Sequence, residues 1–250
     1  MAEAKEESFW ELCLARLTAF PIEPLEYSTF NWWPELTGEK PENRKELPRN
    51  GKLTEEGNFV SKKLRLNIEP NRVDWFFEPS DENASQRSEL PTIGKWPDDI
   101  DEFSKIAKRW SKLNSLPKFR RFAFGVILIQ TVKDLKEGYE RLNEYLSAVQ
   151  LDTANSSDFF YQINRPRAKS KVLSQVSINR LSKWSVLRLD RSFISVEQMM
   201  PMKKKTVFAC RLELDISTDV DYANKLENLE MLYDEFVNLG IEISERGDIK

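Results

Sequence analysis

Apolar residues change period several times along this chain, and each change marks a predicted element. In "KKLRLNIEPNRVDWFFEP" (62–79), Leu64, Leu66 and Ile68 alternate with polar partners, "EPNR" reads as a turn, and "VDWFF" runs back. That pattern predicts a β-hairpin. In "DDIDEFSKIAKRWSKL", Ile100, Phe103, Ile106, Ala107, Trp110 and Leu113 fall at helical spacing, with Asp98 placed to cap. "RFAFGVILIQ" (121–130) is apolar on both faces, as a central strand is. "TVKD" (131–134) then has the form of a capping box, and Leu135, Tyr139, Leu142, Tyr145, Leu146 and Val149 continue as one helical stripe. Near the start, Trp10, Leu12 and Leu14 alternate and predict a strand, although Ser8 to Glu11 also resembles a capping box.

Two segments lack this periodicity. Residues 34–58 and 78–91 are polar and punctuated by Pro and Gly, and both read as long surface loops. The second half then repeats the grammar of the first. "KVLSQVSINRLSKWSVLRL" reads as a hairpin turning near Arg180 to Lys183, "KTVFACRLELDI" as a strand, and "TDVD" (218–221) as a capping box. A helix follows, with Tyr222, Leu226, Leu229, Leu232, Tyr233 and Phe236 as its stripe. Phe122 and Ala123 match Phe208 and Ala209 at an offset of +86, and the helical stripes match at +87. This order predicts an internal duplication. The expected fold class is α+β, an antiparallel sheet built from two similar hairpin–strand–helix halves with helices packed on it. The expected division is 1–57 (N-terminal element and polar loop), 58–150 (first half) and 151–250 (second half).

Composition narrows the function classes. With 40% apolar residues, 15 Phe and 7 Trp among 250 residues, the chain buries a sizeable core. The longest apolar run, "FAFGVILI", has eight residues, whereas a membrane helix needs about 20. "MAEAKEES" lacks the basic-then-apolar order of a signal peptide. Cys13 and Cys210 form no metal or redox spacing and read as small buried hydrophobes. A cytoplasmic protein is expected. There is no His, which excludes Ser-His and Cys-His nucleophile pairs, imidazole zinc sites and a histidine general base. No phosphate-binding glycine loop is present, and no cofactor is expected.

Charge is where the chain is unusual. From Asn164 to Leu212 there are 12 basic and 2 acidic residues, and from Glu213 to Lys250 there are 3 basic and 11 acidic. A net charge of −3 therefore conceals a dipolar second half. Phe159, Phe160, Tyr161 and Trp184 interleave with the cations. That combination suits an acidic protein partner and suits single-stranded nucleic acid, where rings stack on bases. A plainer reading has Arg180, Lys183, Arg188 and Arg191 on a sheet face, paired with Glu213, Asp215 and the acidic final helix. Two carboxylate chemistries have weaker support. "PDD" (97–99) with "DLK" (134–136) has the residue types of a metal nuclease, but Asp134 is explained by capping. Glu69 and Asp74, set as for glycoside hydrolysis, flank a hairpin turn and are explained by solvation. The expected role is a non-catalytic binding or adaptor protein. Its partner-binding residues are Arg165, Arg167, Lys169, Lys171, Arg180, Lys183, Trp184 and Arg188, of which Arg165, Arg167, Arg180 and Lys183 are expected to be exposed. A nucleic-acid-binding component using the basic 164–211 face is the alternative, and a carboxylate-metal nuclease the third reading.

"LRLNIEPNRVDWFF", "LPKFRRFAFGVIL" and the two-fold layout resemble a sporadically distributed bacterial family of uncharacterised proteins of about this length. The resemblance covers most of the chain but rests on apolar patterns, and it implies no activity or site residue. Scattered distribution implies a mobile-element or defence context, with function exercised inside a multi-protein system.

Overall fold

The computed structural model describes residues 9–80, 90–191, 205–219 and 225–248. The strands are β1 (Glu11–Pro21), β2 (Asn43–Leu47), β3 (Lys52–Phe59), β4 (Lys62–Glu69), β5 (Arg72–Pro79), β6 (Gly94–Lys95), β7 (Phe119–Val132), β8 (Phe160–Asn164), β9 (Ile178–Arg191) and β10 (Lys205–Thr218). The helices are α1 (Trp32–Thr37), α2 (Asp101–Ser111), α3 (Leu135–Tyr145) and α4 (Leu229–Arg246). All ten strands join one sheet in the order β2-β3-β4-β5-β1-β7-β10-β9-β8, with β6 on β1, and every pairing is antiparallel. The protein is α+β, with helices packed on an antiparallel sheet.

Period-two alternation decides which side chains meet the helices. Trp75 and Phe77 of β5, Phe122 and Phe124 of β7, Trp184 and Val186 of β9, and Cys210 and Leu214 of β10 all point to one side. There they meet Trp33 of α1, Phe103 of α2, Gly138 and Tyr145 of α3, and Tyr233, Phe236 and Gly240 of α4. The core therefore lies between one face of the sheet and a layer of helices. The opposite face carries ion pairs. On it, Arg16 reaches across β7 to Asp215 at 3.1 Å. The intervening strand offers Gly125 at that row, and a Cβ there would stand 3.4 Å from the guanidinium.

The N-terminal strand, the 64–77 hairpin and the central strand lie where the sequence places them. Residues 34–58 do not form a loop. They hold the end of α1 and the strands β2 and β3. β2 is an edge strand exposed at every position, so it carries no apolar alternation to read. The 78–91 segment lies largely outside the described residues. The expected turn at Arg180 to Lys183 is absent. β9 runs unbroken for 14 residues, because Ser182 and Lys183 fit opposite faces of a straight strand. Asp98 does not cap α2, which has no side-chain cap. The capping box before α3 sits three residues later than "TVKD". Asp134 is its first member, accepting from the Glu137 N–H, and Glu137 accepts from the Lys133 N–H. Of the expected "TDVD" box, Thr218 ends β10, while Asp221 and the stripe residue Tyr222 lie outside the described residues; α4 starts at Leu229, after Leu226.

The +86 offset maps the range of β7 onto that of β10, two 14-residue strands lying side by side. The helical stripes and the hairpins do not follow the same mapping, and two similar halves are not confirmed.

Candidate partner-binding surface

The basic segment begins at β8 and continues to β9. Alternation sends the odd-numbered side chains of β8 and its extension, Tyr161, Arg165 and Arg167, and the even-numbered ones of β9, to the helix side. Arg165 donates through Nε and Nη2 to both carboxylate oxygens of Asp248, at 2.8 Å each, and the Tyr161 hydroxyl adds a third bond at 2.7 Å. Asp248 lies just past α4 and is buried. The bonds from Arg165, outweighing burial, hold its carboxyl below the usual range, and the same contact pushes the Arg165 guanidinium up. Arg167 reaches Glu242 of α4 at 3.5 Å. Buried Glu235 accepts from the Ser170 hydroxyl and from the Lys171 N–H. The basic segment is thus bound along the last helix by side-chain and backbone contacts to Glu235, Glu242 and Asp248.

Several residues expected at a partner surface are structural. Arg180 is 6% exposed, and its Nε donates to the Arg165 carbonyl at 2.7 Å. Burial pushes its pKa down, and the neighbouring Arg167 adds to that. Trp184 is fully buried, stacked on Tyr145 and edge-on to Trp10. Arg165, Arg167 and Lys183 are half-buried. The expectation that Arg165, Arg167, Arg180 and Lys183 are exposed is therefore corrected: the opposite charge that holds each cation, or the backbone that binds Arg180, belongs to the chain itself. Lys183 lies on the helix-free face, 2.7 Å from Glu213, which also takes Arg211 at 2.9 Å. Burial pushes the Glu213 carboxyl up, but Lys183 and Arg211 outweigh it and the net shift is downward.

Lys169, Lys171 and Arg188 do remain exposed. Arg188 lies 3.5 Å from Asp190. Lys171 lines a groove of about 290 Å³ between residues 167–172 and α4. Its walls carry Arg167, Asp234 and Glu242, and its apolar surface comes from Val172, Leu239 and Met231. Met231 is 55% exposed, a large apolar side chain left in solvent on an otherwise amphipathic helix. The charge pattern in the sequence marks the basic segment and the acidic helix separately. It does not mark Met231 or the Tyr161–Asp248 contact, which depend on how the two are brought together.

The carboxylates considered for chemistry have local partners. Asp134 caps α3, Lys136 lies near Glu140 at 3.8 Å, and Asp99 accepts from the Lys95 N–H. Glu69 pairs with Lys52, and Asp74 takes Thr18 and Arg72. Among the described residues, no group of three or more Cys, Asp or Glu is placed to hold a metal ion. Both cysteines are free, with burial as the main cause pushing each thiol up to about 12. No helix among the described residues is long and apolar enough to cross a membrane. Comparison with protein-family models, curated proteins and solved structures finds no match to this chain.

Proposed function

We propose that this chain is a non-catalytic binding component that engages a protein partner with an acidic surface at the groove between residues 167–172 and α4. The observation that carries this reading is that the exposed Lys171 and the exposed apolar Met231 line one groove, with a second exposed lysine, Lys169, two residues before Lys171 in the chain. A protein interface combines an apolar centre with a charged rim in this way, and the rim steers an oppositely charged partner. Arg167 and Asp234 already have ion-pair partners, Glu242 and Lys108, so Lys169 and Lys171 carry the steering charge. A nucleic-acid reading draws less support. Phosphates would have to displace carboxylates from Arg165, Arg167 and Lys183, and displaced pairs offset the gain from counterion release. The family resemblance adds a context, a bacterial multi-protein system in defence or on mobile elements.

The test is site-specific photo-crosslinking in the native host, with the probe at Met231 or at Val60, an equally exposed position in the β3–β4 turn. One protein is expected to crosslink at 231 and not at 60, and Lys169→Glu with Lys171→Glu should abolish that product. Identical products from both positions, or a product at 231 indifferent to the two reversals, overturns the reading.

A further inference from the structure

The sheet ends in two edges of opposite character. β2 reads "NRKEL", and its Arg44 is tied to Glu46 and Glu55. Charged side chains on an edge discourage another strand from pairing there. β8 reads "FYQIN" and carries no charge, and its first residue, Phe160, is 57% exposed.

Register shows which backbone groups of β8 are spent. The Arg165 N–H donates to the Arg180 carbonyl, and Arg167 and Ile178 exchange both of their bonds. β8 pairs with β9 in that same register, from Phe160 opposite Ser185 to Asn164 opposite Leu181. Antiparallel alternation then turns the backbone of Tyr161 and Ile163 inward to β9, and that of Phe160, Gln162 and Asn164 outward. Pro166, which has no N–H, ends the outward row.

We infer that β8 is a self-pairing edge, at which two copies of this chain join β8 to β8 antiparallel about a two-fold axis at Gln162. The outward row is symmetric about Gln162. Phe160 of each copy would pair with Asn164 of the other, and Gln162 with its own counterpart, each pair exchanging two backbone bonds. Charge favours a second copy over another occupant. The approach to β8 carries Asp152 and Asp158, and its exit carries Lys169 and Lys171. Antiparallel pairing lays the acidic approach of each copy along the basic exit of the other, the self-complementarity that a two-fold interface requires. A strand of five residues gives a small contact, so the dimer is concentration-dependent rather than obligate. The contact is made by the backbone of the sheet edge and not by the α4 groove. Lys169 and Lys171 flank both, so the test is built on Phe160, Gln162 and Asn164, which do not line the groove, and its failure is distinguishable from that of the function proposed above.

The test uses the full chain. Sedimentation velocity from low micromolar to millimolar protein should show a monomer–dimer equilibrium. Gln162→Pro removes an outward N–H without costing a bond to β9, and should raise the dimer dissociation constant by about tenfold or more. Phe160→Lys changes an exposed side chain and must do the same, which covers any disturbance of folding by the proline. Register is read by oxidative crosslinking. Gln162→Cys places two thiols on the axis at a Cα separation of about 5.5 Å, within disulfide reach, and should crosslink readily. Asn164→Cys sets them several residues apart and should not. A chain that stays monomeric throughout, a dimer that survives both edge variants, or equal crosslinking at 162 and 164 overturns the inference.

Discussion

Helix α3 lies close against β9 at Gly138, and a single methyl group there tests the packing. A Cβ at this position would stand 2.7 Å from Val186 Cγ1 and 3.0 Å from Cγ2. Val186 is β-branched and has little rotamer freedom to retreat. The Gly138 carbonyl also accepts from the Cys210 thiol, so the helix is held on both sides of the contact. Two effects oppose each other in Gly138→Ala. Alanine stabilises a helix interior over glycine by about 0.8–1 kcal/mol. Overpacking a filled site costs about 1–3 kcal/mol. The clash is with a stiff, partly buried side chain, so the cost wins and a net loss of about 1 kcal/mol is expected. Val186→Ala removes both clashing methyls and leaves a Cβ at 3.4 Å, an ordinary contact. In that background Gly138→Ala should change sign and stabilise by up to about 1 kcal/mol. The coupling across the pair is then about 2 kcal/mol. Urea unfolding of the four variants, compared at constant slope, reads it directly. If Gly138→Ala stabilises the wild-type background, α3 does not lie this close to β9. If it destabilises both backgrounds equally, Val186 is not the obstacle.

Two further outcomes follow from the contacts between the basic segment and α4. Arg180→Ala should destabilise the fold by about 2–4 kcal/mol, because it removes a buried cation from its backbone partner, while Lys171→Ala should stay within about 0.5 kcal/mol; thermal melts giving equal losses would refute the division into clamp and surface. Asp248 is depressed below its unfolded value of about 3.9, so its contribution is complete above that pH and is lost as pH falls through the folded value. The stability gap between wild type and Asp248→Asn should therefore be constant near neutrality and close below about pH 4, and a gap that persists to low pH would show that the carboxylate's charge is not what holds the helix.

Elements with one buried face were legible in the sequence. β4 alternates cleanly because every second residue meets the core, β5 does so apart from the buried Asp74, and β7 is an apolar run because most of its consecutive residues are buried. β2 was not legible, since an edge strand exposed on all sides has no burial to impose a period. β9 was misread because "NRLSK" looks like turn chemistry. Its Arg180 and Ser182 in fact lie buried on the helix side, satisfied by a backbone carbonyl and by the Trp184 indole. The candidate site failed in part for a related reason. Composition distinguishes a basic segment from an acidic one but not whether the two face each other. Arg165 and Asp248 are 83 residues apart, and only the sheet order brings them within 2.8 Å.

The placement of β1 has a consequence for synthesis. It is the earliest strand among the described residues and lies near the middle of the sheet, where Arg16 finds Phe76 on one side and Gly125 on the other. At translation rates of about 5–20 residues per second, the β7 side of β1 stays unpaired for roughly 5–20 s after β1 is made. Pairings that close such long loops are slow to form. The nascent chain therefore carries an apolar strand with open hydrogen-bonding groups through much of its production, and efficient folding depends on keeping that strand from other chains until β7 arrives.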